Sequence, residues 1–386
     1  MISRRKLLTA SGILVAAGVA GTLAAPTILR RFIDTTDVPV GFDLTEAELQ
    51  RAEEFLANHP AIDSHAHPGR TFVKGASNLT IKLKLYQAAG TFEDEVVADM
   101  VKGKMSAAAF SAVADFPLLD SQDGGLVSVR PFLPGEAMSY YREQVANLKA
   151  LASRGLISLA LEPGDIETAL KAGKPAGLLA VEGADFVDDD PSNIARSAED
   201  GVRIITLVHY LSGGRIGDIM TAPPVNKGLT DFGRAVVQEI EKSRIILDIS
   251  HADEKTAFDT LAITTRPVIA THTHITGLGI GSARFISKEL AGKIADSGGF
   301  IGAWPAGFGI ATLEAYLGRI EQLISAIGDD HVAIGTDMDA NYKPVWETYR
   351  KTPMVVAGLF KRGHSEERVA KIIGGNFLRV FGEIRG

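Results

Sequence analysis

The sequence predicts an α/β chain folded as a (β/α)8 barrel of the TIM type, with a metal site at the C-terminal strand ends. Three observations predict it. Short, near-continuous apolar runs recur along the chain, as expected of parallel strands covered on both faces. Amphipathic segments of helical period separate them. Polar, metal-competent residues follow the runs directly, where a barrel builds its active site.

The elements come in order. Asp43 to Asn58 reads as an amphipathic helix of good helix formers. The apolar runs are Ala61 to Asp63, Gly125 to Val129, Gly177 to Val181, Arg203 to Val208, Arg244 to Ile249, Pro267 to Ala270, Phe300 to Trp304 and Val332 to Gly335. Thr230 to Lys242 and Ser287 to Ser297 are typical of the helical segments between them. Leu156 to Leu161 is a ninth strand-like run beside these eight. The widest gap, Gly69 to Asp123, is expected to hold helices that cap the barrel mouth. An open doubly wound sheet is the rival fold. No G-x-G-x-x-G follows an early strand and no GKS or GKT loop follows a run, so nucleotide binding has no support.

Composition narrows the function. The 386 residues are 46% hydrophobic and 23% charged, ordinary for a globular enzyme. A net charge of −7 argues against a nucleic-acid partner. The chain has no cysteine, which removes disulfides, thiolate metal sites and a Cys nucleophile together. Any metal must therefore sit on His, Asp and Glu.

Residues 1–30 read as a targeting segment. Arg4 and Arg5 follow Ser3, ahead of a stretch from Leu7 to Leu29 with no charge. This resembles a bacterial twin-arginine export signal. The same stretch is long enough to remain as a membrane anchor, and the two readings are compatible. The expectation is export through the twin-arginine machinery, to the periplasm or the outer face of the inner membrane. Residues 31–386 are expected to form one barrel domain. The residues leave a homodimer open.

The strand ends carry the chemistry. The first run ends in Asp63-Ser64-His65-Ala66-His67, the third in Glu182-Gly183, and the fourth in His209. The fifth ends in Asp248-Ile249-Ser250-His251, the sixth in Thr271-His272-Thr273-His274, and the eighth in Thr336-Asp337-Met338-Asp339. Six of the nine histidines therefore sit at strand ends. Residues i and i+2 of a strand point the same way, so His65 and His67 can aim two imidazoles at one point. A lone H-x-H is weak evidence; one joined by histidines ending strands five and six is much stronger. Imidazoles with one carboxylate suit zinc, though manganese, cobalt or iron could use the same set. Glu182 is the natural carboxylate, since an acid after Leu178-Leu179-Ala180-Val181 is costly to bury unpaired. Its two oxygens can bridge two cations; the plainer alternative is a buried structural acid. His59, His331 and His364 lack strand-end context and are expected to face solvent.

These segments resemble the membrane dipeptidases (renal dipeptidase, peptidase family M19), a branch of the amidohydrolase superfamily. Asp63 to His67 stands where that family has D-G-H-x-D, and Val181-Glu182-Gly183 matches its E-G motif. Leu207-Val208-His209 matches L-T-H, Gly228 to Gly233 matches G-L-T-x-F-G, and Asp248 to His251 matches D-x-S-H. Ala270-Thr271-His272 matches A-S-H, Arg284 opens the next helix, and Ile334 to Asp339 matches G-[ST]-D-F-D. The resemblance runs along the whole chain after the leader, and the order of the motifs makes the set specific.

The resemblance implies roles. His65 and His67 would bind a first divalent metal, His251 and His272 a second, and Glu182 would bridge them, with zinc the expected ion at both. His209 would sit near the scissile carbonyl and Arg284 on the peptide carboxylate. Asp337 would be the general acid/base, serving a metal-bridged hydroxide that attacks the amide of a dipeptide-like substrate. Without the resemblance, Arg284 reads as an ordinary surface residue. His274, two after His272, is expected to support the site or touch substrate rather than ligate. Three departures bear on substrate. His67 replaces the family Asp, Phe285 follows Arg284 where Asn is usual, and Tyr210 to Gly214 follows His209 where an Asn is common. Dipeptides with a C-terminal D-residue, N-acyl amino acids, a lactone or a phosphoester are therefore alternatives for the same centre. A non-catalytic binding protein using the barrel mouth is the reading from another class.

Overall fold

The computed structural model describes residues 38–76, 79, 81–89, 92–122, 125–278, 282–340 and 344–386. The leader, with Arg4 and Arg5, lies outside the described residues. Eight parallel strands close a (β/α)8 barrel: β1 (Ala61–Ala66), β2 (Met105–Val113), β3 (Ala176–Glu182), β4 (Val202–Thr206), β5 (Ile246–Asp248), β6 (Val268–Thr273), β7 (Ile301–Ala303) and β8 (Val332–Ile334). Neighbours in the chain pair in parallel, and Asp63 opposite Ile334 joins β1 to β8 to complete the ring.

The second strand is a correction. It is Met105–Val113, not the run Gly125 to Val129, and it lies inside the gap Gly69 to Asp123, where helices capping the barrel mouth are expected. That gap does contain helices Ile81–Ala89 and Glu93–Lys102. The reason is compositional. MSAAAFSAV is alanine-rich, and alanine is the strongest helix former. All nine residues are nonetheless buried, with the barrel interior on one side and the helix layer on the other. Tertiary burial overrides local propensity here. Gly125–Ser128 instead pairs antiparallel with Leu119–Gln122 as a separate hairpin. The ninth run becomes a two-residue strand, Ser158–Leu159, beside the start of β3.

The three expected helices form close to the expected bounds. Glu46–Leu56 starts from a Thr45 capping box with Glu48. Asp231–Lys242 and Lys288–Asp296 are capped by Thr230 and Ser287, whose hydroxyls accept from Gly233 and Leu290 N–H.

Inside the barrel, Ile62, Ala107, Leu178, Ile204, Ile246, Ile269 and Ala333 form one apolar cluster with Phe377, Val380 and Phe381 of helix Asn376–Arg385. Phe300, just ahead of β7, meets Phe377 at 5.9 Å, so this helix closes the N-terminal end of the barrel. Higher in the barrel the strands draw close. A Cβ on Gly302 or Gly335 would fall 1.8 or 1.6 Å from the Thr271 carbonyl oxygen, so only glycine fits. The Ser64 hydroxyl spans this constriction, 2.8 Å from the Thr271 carbonyl and 2.7 Å from that of Ile334. The apolar plug below and the polar layer above leave the C-terminal rim as the place for chemistry. Among the described residues no helix is long and apolar enough to cross a membrane.

Candidate metal centre

Two buried aspartates set the strand ends. Asp63 on β1 accepts from the N–H of His65 at 3.1 Å, the N–H of Thr336 at 2.8 Å and the Tyr349 hydroxyl at 2.7 Å, and also from the Thr336 hydroxyl. Burial pushes the Asp63 carboxyl up, against the pull of these hydrogen bonds. The backbone then continues the pairing past the strands: Asp337 N–H donates to the His65 carbonyl at 2.8 Å, and His67 N–H to that of Met338 at 2.8 Å. This brings Asp337 beside the H-x-H pair. Asp337 takes a left-handed backbone, φ 52°, which is uncommon outside glycine and concentrates at functional sites.

Asp248 plays the matching part across the barrel. It accepts from Ser250 N–H (3.0 Å) and hydroxyl (2.5 Å), from Thr271 N–H (2.9 Å) and hydroxyl (2.7 Å), and from the Thr206 hydroxyl (2.6 Å). These bonds tie the ends of β4, β5 and β6, which carry His209, His251 and His272. With its oxygens engaged in this way, Asp248 supports the centre rather than joining it.

The residues singled out in the sequence converge on Glu182. His65 Nε2 lies 3.3 Å and His251 Nε2 2.9 Å from Glu182 Oε1, with His272 Nε2 at 3.6 Å. His67 Nε2 is 3.5 Å and His209 Nε2 3.3 Å from Oε2. Asp337 Oδ1 stands 3.2 Å from His67 Nε2 and 3.9 Å from His65 Nε2. Among the described residues three groups of ligand atoms each lie within 4.8 Å: His65–His67–Glu182 and Glu182–His251–His272, which share Glu182, and His65–Asp248–His272, whose carboxylate is already taken up by the bonds above. Four imidazoles and one two-oxygen carboxylate form a donor set that fits divalent ions of the zinc type. All five side chains are buried.

The electrostatics divide the site. Burial raises Glu182, but His209, His65 and His251 outweigh it and hold the carboxyl well below its ordinary value. Burial opposes a charge on His65, yet Glu182 and Asp337 lift it to about 9. Burial first, with Arg284 adding to it, pushes His251 and His272 well below the usual imidazole range. Neutral imidazoles are the form that ligates.

Arg284 is buried at this second group rather than on the surface. Its Nη1 donates to the Ser250 carbonyl at 2.7 Å, and Nη2 lies 2.9 Å from His251 Nε2 and 3.0 Å from His272 Nε2. The guanidinium also sits 5.4 Å from the Trp304 ring centre. Trp304, Phe285 and Phe308 meet edge-on and form an apolar wall beside it.

The four histidines outside the cluster depart from expectation. His274 turns away from the cluster, with Nε2 3.0 Å from Gln322 Oε1 and its ring against Phe285. β6 ends at Thr273, so the alternation of a regular strand no longer governs it. His59, His331 and His364 are half-buried and hydrogen-bonded rather than solvent-facing, and all three lie outside the cluster. Asp115 is a residue that sequence reasoning missed. It stands two residues past β2 and bonds His209 Nδ1 at 2.6 Å. The strand-end rule would have found it had β2 been placed at Met105–Val113.

Comparison with known proteins agrees with this geometry. A family model described as membrane dipeptidase (peptidase family M19) matches residues 49–386. The dipeptidase tcpJ of Claviceps purpurea (strain 20.1) is 29% identical over 236 residues, 59% of this chain and 55% of that protein, so the match spans about half of that relative's length. The dipeptidase verJ of Clonostachys rogersoniana is 24% identical over 351 residues, 88% of each chain. Among solved structures, a metallo peptidase from Rhodobacter sphaeroides, liganded with a phosphinate mimic of the dipeptide L-Ala-D-Ala, has a TM-score of 0.70 at 20% identity. The match covers 84% of this chain and 99% of that one, and at this identity it speaks to the fold alone.

Proposed function

The chain belongs to the membrane dipeptidase family, peptidase family M19, and from that premise we propose that it is a metal-dependent hydrolase of the amide bond of dipeptides. The observation that carries the reading is Glu182 shared between two histidine pairs, 3.3 Å from His65 Nε2 and 2.9 Å from His251 Nε2 through one oxygen. His65, His67 and Glu182 would hold one divalent ion, and Glu182, His251 and His272 a second, with zinc the expected metal. Bound there, the ions supply Lewis acidity and a water acidic enough to act as nucleophile near neutral pH.

The chain's own residues do the rest. Asp337 Oδ1, 3.2 Å from His67 Nε2, receives the proton released at the reacting centre and returns it to the leaving amine. His209 faces the same centre through Nε2 and steadies the carbonyl as charge develops on its oxygen. Arg284 offers a planar fork to the substrate's carboxylate, desolvated by the wall of Trp304 and Phe285. The leader, with Arg4 and Arg5, supports export by the twin-arginine machinery to the periplasm or the outer face of the inner membrane. Residues 31–386 are proposed as the single catalytic domain.

The test is metal content by inductively coupled plasma mass spectrometry, followed by a panel of L,L- and L,D-dipeptides. About two equivalents of zinc with dipeptide turnover is the expected result. No metal after reconstitution would overturn the reading in favour of a binding protein. A second reading keeps the centre and changes the bond, to an N-acyl amino acid, lactone or phosphoester. The apolar wall beside Arg284 and the imidazole of His67 in place of a carboxylate favour it, and turnover of those substrates without dipeptide turnover would select it.

A further inference from the structure

We propose that Asp115 is the positioning residue for His209, holding the ring with a proton on Nδ1 and Nε2 turned into the reacting centre. The proposal rests on the dipeptidase reading for the role of His209. Asp115 is buried at the end of β2, and His209 follows β4, with β3 between them. Their contact therefore passes over the end of β3, where Glu182 and Gly183 lie. Gly183 has φ 90°, and a Cβ there would come within 3.3 Å of the His209 Cβ, so the glycine leaves room for the ring above Glu182.

One carboxylate holds the segment twice. Asp115 Oδ1 accepts from His209 Nδ1 at 2.6 Å, and Oδ2 accepts from the backbone N–H of Tyr210 at 3.0 Å. Two bonds from a planar group to a ring and to the next peptide fix both the ring's position and its rotation. An ionised carboxylate only accepts, so Nδ1 must carry the hydrogen. Nε2 is then the nitrogen that faces inward, 3.3 Å from Glu182 Oε2, and it steadies a developing oxyanion when it carries a hydrogen as well, as both nitrogens do in the doubly protonated ring. The rings of Tyr210 and His251 close on the imidazole edge-on, at 4.5 and 4.4 Å. Orientation of a working histidine through a hydrogen bond at its other nitrogen is a general device at metal and hydrolytic sites.

Asp115→Asn is the informative change because the Tyr210 N–H still needs an acceptor. The amide oxygen keeps that bond, and the amide nitrogen then faces His209 Nδ1, which can accept only without its proton. The expected result is a loss of kcat on the order of 10²-fold on the dipeptide panel, with KM and metal content unchanged. Nitrogen-15 spectra of histidine-labelled, zinc-loaded protein read the ring directly, with the His209 signals assigned by their loss in His209→Asn. Nδ1 should be protonated in the natural protein and unprotonated in Asp115→Asn. A kcat within threefold of the natural protein, or an unprotonated Nδ1 in the natural protein, overturns the proposal. The second measurement stands even if Asp115→Asn fails to fold. It also separates the two claims, because a chain that cleaves no dipeptide but shows a protonated Nδ1 refutes the activity and keeps the Asp115 contact.

Discussion

Asp248→Ala is expected to destabilise the barrel by about 3–5 kcal/mol and to strip metal from the second histidine pair. The magnitude follows from its contacts. Asp248 is fully buried and accepts five hydrogen bonds from Ser250, Thr271 and Thr206. The three hydroxyls can turn to other acceptors, and those of Ser250 and Thr271 already lie 3.0 Å apart. The N–H groups of Ser250 and Thr271 cannot turn. Each buried donor left unpaired costs about 1–3 kcal/mol, and the lost side-chain volume adds to it. Urea unfolding in the presence of a chelator measures this term free of metal linkage. Metal analysis of the same variant should show a fall from two equivalents toward one, because Ser250 and Thr271 directly precede His251 and His272. A loss below about 1 kcal/mol, or full metal content, would refute the argument that Asp248 organises these strand ends.

Three further outcomes are expected. Asp337→Asn should abolish turnover and leave metal content unchanged; retained turnover would remove Asp337 from proton transfer. Arg284→Met should lower kcat/KM for dipeptides by about 10²-fold or more, with little effect on the same substrates amidated at the C-terminus, since a buried charge-assisted pair is worth several kcal/mol. An equal loss on both substrates would refute the carboxylate role. His274 should make stability depend on pH. Burial, with Arg319 adding to it, holds its pKa down from 6.5 to about 4, so the fold prefers the neutral ring. The folded state then binds fewer protons than the unfolded chain between these values. Stability is full above pH 6.5 and falls by about 3 kcal/mol as the pH drops toward 4. His274→Asn should flatten that slope in denaturation at pH 7 and pH 5; an unchanged slope would refute it.

Much of the molecule was legible in the residues alone. Apolar runs bounded by helical patterns determine the barrel class, because strands covered on both faces are mostly apolar and admit polar residues only where these find partners. The H-x-H pair, Glu182 and the histidines after β5 and β6 were legible for a related reason. A charged or polar group at the end of a buried strand must find a partner, and the barrel brings all such ends to one rim. The membrane dipeptidase signature was legible as motifs in order.

Only the tertiary structure decided the rest. Met105–Val113 looks helical by propensity and becomes a strand because both its faces are buried. Asp115 meets His209 across 94 positions of chain, and Tyr349 meets Asp63 across 286, separations that no local pattern encodes. Arg284 reads as a surface residue until packing turns its guanidinium onto His251 and His272. His274 keeps the spacing of a ligand and loses the direction, because the strand ends one residue before it. Local sequence specifies which side chains have chemistry to offer, whereas long-range closure of the barrel decides which of them face one another.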